Sequence, residues 1–143
     1  MTIARITSNR SAADIISCDA AMQVRDVVRL LASKRIGAVP VLENGNVVGI
    51  FSERDVIYRL AEEGEMCMNR PVSDVMTATP ITVEETSTID EALALMTRRR
   101  IRHLPVLKDG ALKAFISIGD LVKTKMDEVE DEANAMRSYI QTA

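Results

Sequence analysis

The stretch Gly49-Ile50-Phe51-Ser52-Glu53-Arg54-Asp55 reads as the end of a buried strand that delivers the chain straight into a helix. Ser52 is placed to cap that helix, and Asp55 stands three residues on, inside its first turn. A helix start at the end of a strand also aims backbone N–H groups outward, and such groups suit a phosphate. The same grammar returns at Ala114-Phe115-Ile116-Ser117-Ile118-Gly119-Asp120, so that Ser52 and Asp55 are each matched 65 residues later by Ser117 and Asp120.

Outward from these corners, the 65-residue offset holds without a gap over most of the chain. It pairs Ile16 with Ile81, Leu30 with Leu95, Arg35-Ile36 with Arg100-Ile101, Pro40-Val41-Leu42 with Pro105-Val106-Leu107, and Gly45 with Gly110. An ungapped series of this kind marks an internal duplication. It divides the chain into residues 1–64 and 65–143, and each copy is predicted to run strand, helix, strand, turn, strand, helix.

In the first copy, residues 15–18 make a short strand, and Val24, Val27, Val28 and Leu31 recur at the spacing of one buried helix face. Residues 38–42 and 47–51 read as strands joined at Asn44-Gly45, both of which tolerate the positive φ of a tight hairpin turn. Pro40 has no N–H to give a ladder, so its strand is expected at an edge or bulged there. The helix from Ser52 to about residue 62 is expected to bury Val56, Ile57 and Leu60. A solvated link (62–65) and a short turn or helix (72–76) lead into the second copy. There the predicted parts are a strand at 81–83, a Thr88/Glu91 capping box and a helix burying Ile89, Ala92, Leu93 and Met96. A hairpin of strands 103–107 and 112–116 follows, about Asp109-Gly110. The last helix runs on past its counterpart. Val122, Met126, Val129, Ala133, Met136 and Ile140 form a heptad-spaced seam along it, packed either on this chain or on a partner subunit.

Bulk composition fits this reading. Of 143 residues, 47% are apolar and 27% charged, the balance of a globular chain. The net charge of −3 argues against nucleic acid as the main partner. No apolar run is long enough to cross a bilayer and the N-terminus lacks a signal-peptide core, so no membrane role and a cytoplasmic location are expected. Cys18 and Cys67 make no metal or redox motif and fit a reducing compartment. His103 is the sole histidine. With no metal cluster, no Walker-type loop and no nucleophile–base pair, no catalytic residue is assigned and an enzyme is not expected.

The duplicated βαββα unit resembles a CBS domain, and the tandem pair resembles a Bateman module. The segments that carry the likeness are residues 36–41 and 101–106 (IGAVPV and IRHLPV), the N-G and D-G turns, and the two S-x-x-D corners, with Val75-Met76-Thr77 similar to the V-M-T that often opens a repeat. The resemblance, closest to small stand-alone bacterial CBS-pair proteins, implies an α+β (α/β) fold of two repeats about a pseudo-twofold axis, with an extended C-terminal helix. It also implies regulatory, energy- or redox-sensing binding of an adenosine ligand such as AMP, ADP, ATP, NAD(H) or S-adenosylmethionine. A homodimer and an unidentified regulated protein are its implied partners.

Carried over residue by residue, the resemblance puts Asp55 on the ribose of one cleft, with Ser52 and Arg54 beside it and Ile16, Ser17, Ala38, Val39 and Pro40 about the base. Arg102 and His103 reach its phosphate from the other repeat. Asp120 and Ser117 serve the second cleft, with Ile81, Thr82, His103, Leu104 and Pro105. The second cleft is the poorer phosphate site, because Gly37 and Ala38 stand where the first has Arg102 and His103, and Gly119 where it has Arg54. The chemistry agrees: a carboxylate accepts ribose hydroxyls through charge-assisted bonds. Two bland readings stay open. The Ser–Asp pairs are complete as helix caps without any ligand, and the chain as a whole is also consistent with a ligand-free structural dimerisation or adaptor module.

Overall fold

Both hairpins form where the turn dipeptides place them, in a computed structural model that describes residues 1–142. Strands β2 (Ala38–Glu43) and β3 (Asn46–Ser52) pair antiparallel about Asn44-Gly45, and β6 (His103–Lys108) and β7 (Ala111–Ser117) about Asp109-Gly110. All four turn residues have positive φ, from 52° to 81°. Each hairpin is preceded by a helix, α2 (Val24–Lys34) or α4 (Ile89–Arg99), and followed by another, α3 (Glu53–Glu63) or α5 (Ile118–Thr142). A four-residue helix, α1 (Ala4–Thr7), opens the chain.

The short strands begin two or three residues later than expected. Strand β1 is Cys18–Asp19 and pairs parallel with β2, and β5 is Val83–Glu84 and pairs parallel with β6. Pro40 does not mark an edge strand. Strand β2 is interior to the sheet β1-β2-β3-β4, with Pro40 opposite Ile50 and the bulge one step on, between Val41 and Leu42. The strand tolerates the missing donor because β1 joins it only from Val41 onward.

Two apolar cores result. Val24, Val27, Leu31, Val39, Val41 and Phe51 centre the first; Ile89, Ala92, Met96, Leu104, Ile116 and Leu121 centre the second. Helix α3 departs from expectation. It buries no residue, and Ile57 and Leu60 are 62% and 38% exposed, because only the Val56 flank meets the first core. The cores also exchange segments. Ile3 is fully buried in the second core, while Val72 and Val75 belong to the first. The leading segment of each repeat therefore packs on the other repeat. Ile3 N–H donates to the Ser87 carbonyl and Ile89 N–H to that of Met1, and reciprocally Val24 N–H donates to Arg70 and Val72 N–H to Met22. Strand β4 (Thr77–Ala78) extends this exchange by pairing with β3 of the first repeat.

Candidate functional site

The two strand-to-helix corners are built alike. Ser52 accepts a hydrogen bond from Asp55 N–H, and Asp55 Oδ2 accepts one from Ser52 N–H at 2.9 Å, a reciprocal capping box. At the second corner Asp120 Oδ2 accepts from Ser117 N–H at 2.9 Å and Ser117 Oγ accepts from Asp120 N–H at 3.2 Å. Fewer outward N–H groups remain than the sequence suggested, because Glu53 N–H is taken by the Gly37 carbonyl and Ile118 N–H by that of Arg102.

What surrounds each carboxylate differs. Asp55 Oδ1 accepts from the Thr77 hydroxyl at 3.1 Å, a neutral donor brought across by β4. Asp120 instead meets a guanidinium, with Arg10 Nη2 at 2.9 Å from Oδ1 and Arg10 Nη1 at 3.4 Å from Oδ2. Burial pushes the Asp120 carboxyl up, but Arg10 and the Ser117 backbone more than offset it and hold it below the usual carboxylate range.

A cavity of about 350 Å³ opens at the Asp55 corner. Its walls combine Ala38, Ser52, Arg54 and Asp55 from the first repeat with Arg102 and His103 from the second, six of the ten residues expected to meet there. Ile16, Ser17, Val39 and Pro40 do not line it. Ile16 packs half-buried against the first core, and Val39 is fully buried. Thr79, Pro80 and Ile81 take their place. Ile81 therefore stands with Asp55 and not with Asp120, and the cause is the exchange of leading segments. The stretch before β5 crosses to the Asp55 corner before turning back to pair with β6. Thr82 lines a separate shallow groove with Glu91 and Arg98, while Leu104 and Pro105 are buried in β6.

Other wall residues, Tyr58, Arg100 and Glu53 among them, were not assigned to the site from sequence. Tyr58 is 62% exposed at the mouth, and its place three residues after Asp55, on the same helix face, was a usable signal. Arg100 ends α4 at the cavity with a left-handed backbone (φ 55°). Glu53, the first residue of α3, adds one carboxylate to the wall. His103 stacks on Phe115, with ring centroids 5.3 Å apart and planes 10° from parallel. Burial lowers its pKa, as does Arg102, while Asp120 and Glu53 pull the other way.

The chain carries the means to hold an anion against a polyol. Arg54 from the first repeat and Arg100 and Arg102 from the second bring positive charge to one cavity of an otherwise acidic protein, beside a carboxylate that accepts hydroxyls. Among the described residues no group of acidic, His and Cys side chains is arranged to hold a metal ion, and no helix is long and apolar enough to cross a membrane.

The CBS domain family matches residues 7–62 and 72–127. The chain is 34% identical over 123 residues to the CBS domain-containing protein CBSX3, mitochondrial, of Arabidopsis thaliana, covering 82% of this chain and 60% of that protein, so it spans under two thirds of that relative's length. A putative signal-transduction protein with CBS domains from Burkholderia ambifaria superposes with a TM-score of 0.81 at 36% identity, covering 89% of this chain and 95% of the other. The structure of CBSX2 in complex with AMP matches with a TM-score of 0.76 at 23% identity, over 88% of this chain and 96% of that one.

Proposed function

The chain belongs to the CBS domain family, and from that premise we propose that it is a regulatory module whose Asp55 cavity binds an adenine nucleotide. One observation carries the reading: a single cavity joins the capped start of α3 from one repeat to Arg100, Arg102 and His103 from the other. Asp55 accepts the ribose hydroxyls, the arginines and His103 face the phosphate, and Ala38 and Ile81 give the base apolar walls. AMP bound to CBSX2 supports the ligand class. ATP, ADP, NAD(H) and S-adenosylmethionine share the adenosine part that the cavity is read to grip.

The module acts as a homodimer on a separate regulated protein. The exposed apolar residues Ile57 and Tyr58 on α3, and Val122, Met126 and Val129 on α5, support the dimer, since a stripe of this kind is costly to leave in water. Thermal-shift and calorimetric titrations with AMP, ATP, NADH and S-adenosylmethionine test the ligand reading. A ligand that binds only the folded state raises the melting temperature. Replacing Asp55 by Ala removes charge-assisted bonds and is expected to weaken AMP roughly 10- to 100-fold, from about 1.5–3 kcal/mol. No shift with any of the four at millimolar concentration refutes the reading.

A further inference from the structure

The second corner has the same capping box as the first, but its carboxylate already holds a partner. Arg10 places one guanidinium nitrogen on each Asp120 oxygen. That fork uses the acceptor positions a ribose diol would need, so the two occupants exclude each other.

Arg10 is not a loose surface side chain. It stands three residues beyond Thr7, which is fully buried and donates its hydroxyl to Glu85 at 2.9 Å. Ile3 anchors the same segment in the second core, and Ser11 caps the turn that follows. The Arg10 and Asp120 side chains are only 38% and 28% exposed, so water screens them less than a surface pair. The 65-residue offset shows what is distinctive here. Asp55 is the residue matched to Asp120, and the segment that crosses to it brings the neutral Thr77 hydroxyl, with Val75 buried in the first core. At equivalent places in one duplicated frame, one carboxylate is left with a neutral donor and the other is paired with a guanidinium.

We propose that Arg10 is a built-in ligand of Asp120 that closes the second corner, so that each chain takes one adenine nucleotide, at Asp55, and gains a second site when the guanidinium is removed. The proposal rests on the nucleotide reading of the S-x-x-D corners. Displacing a charge-assisted pair weakens a competing ligand roughly 10- to 100-fold, enough to leave the second corner unfilled where the first is saturated.

The test is calorimetric titration of the full chain with AMP, on wild type, Arg10→Ala and Arg10→Gln, with an NMR titration of the Asp120 carboxyl. One AMP per wild-type chain and two per chain in both variants are expected, with Asp120 titrating at higher pH once Arg10 is gone. Adding Asp120→Asn to Arg10→Ala should return the count to one. Two AMP per wild-type chain, or a second site that weakens when Arg10 is removed, overturns the proposal. So does an Asp120 titration unchanged by Arg10→Ala, since the contact is then not made in solution. One AMP in every protein removes the closure and leaves the Asp55 reading standing. Binding to none of them removes the nucleotide reading and the closure with it.

Discussion

Gly49→Ala is the substitution that most directly tests how β4 completes the Asp55 cavity. A Cβ built on Gly49 would overlap Met76 Sδ, would lie 2.9 Å from Met76 Cγ and would lie 2.8 Å from the Thr77 carbonyl oxygen. The Met76 side chain has room to turn, but the carbonyl belongs to the backbone of β4, hydrogen-bonded to β3 at Gly49 and Ile50. Restoring the 3.4 Å of ordinary contact requires β4 to retreat by about 0.6 Å. Overpacking of this kind costs about 1–3 kcal/mol. With a urea dependence of about 1–3 kcal/mol per molar for a small protein, the unfolding midpoint should fall by about 1 M. The same retreat stretches the 3.1 Å bond from Thr77 to Asp55, so AMP affinity should fall as well. Ala114, the matched residue in the second repeat, shows that alanine is compatible with this strand position where no fourth strand covers it, since that sheet has only β5, β6 and β7. Urea unfolding by circular dichroism, with calorimetry for AMP, measures both effects. An unchanged midpoint together with unchanged affinity would refute the close approach of β4.

Three further outcomes are expected. His103 titrates below its ordinary value in the fold, so its contribution to stability is intact above about pH 6.5 and is lost as pH falls through the folded pKa. Unfolding free energies of wild type and His103→Gln from pH 7.5 to 5 should therefore diverge least at the acid end, and parallel curves would contradict this. Cys18 is 4% exposed with its thiol pushed up to about 11 by burial and the nearby Asp19, and Cys67 is fully buried, so neither should react with a thiol reagent at pH 7 until the protein is unfolded. Met126→Glu and Val129→Glu on α5 should shift sedimentation from dimer to monomer without lowering the melting temperature of dilute protein, and a wild type already monomeric at micromolar concentration would remove the proposed interface.

Most of the frame was legible because its determinants are local. The hairpins follow from dipeptides that accept positive φ, the caps from Ser52/Asp55 and Thr88/Glu91, and the helix faces from Val24, Val27 and Leu31. The walls of the site were less legible. Thr77 reaches Asp55 across 22 residues and Arg10 reaches Asp120 across 110, and no periodicity encodes a contact between segments that pack on opposite repeats. Ile81 belongs by sequence to the repeat that carries Asp120, and only the crossing of its segment brings it to Asp55. Ile57 and Leu60 fit a buried face by spacing, yet a period reports only that a face is apolar, not what covers it.

The exchanged leading segments also bear on how occupancy depends on protein concentration. Two separate repeats of this design would have to trade arms before either corner was complete: Thr77 would come from one molecule to the Asp55 of another, and Arg10 to a foreign Asp120. Such an encounter is second order, and the fraction of finished sites would rise with the amount of protein. Joining the repeats in one chain replaces that encounter with an intramolecular one, at an effective concentration that a short tether commonly raises to the millimolar range. The threshold for binding is then set by the ligand alone, as the proposed regulatory role requires.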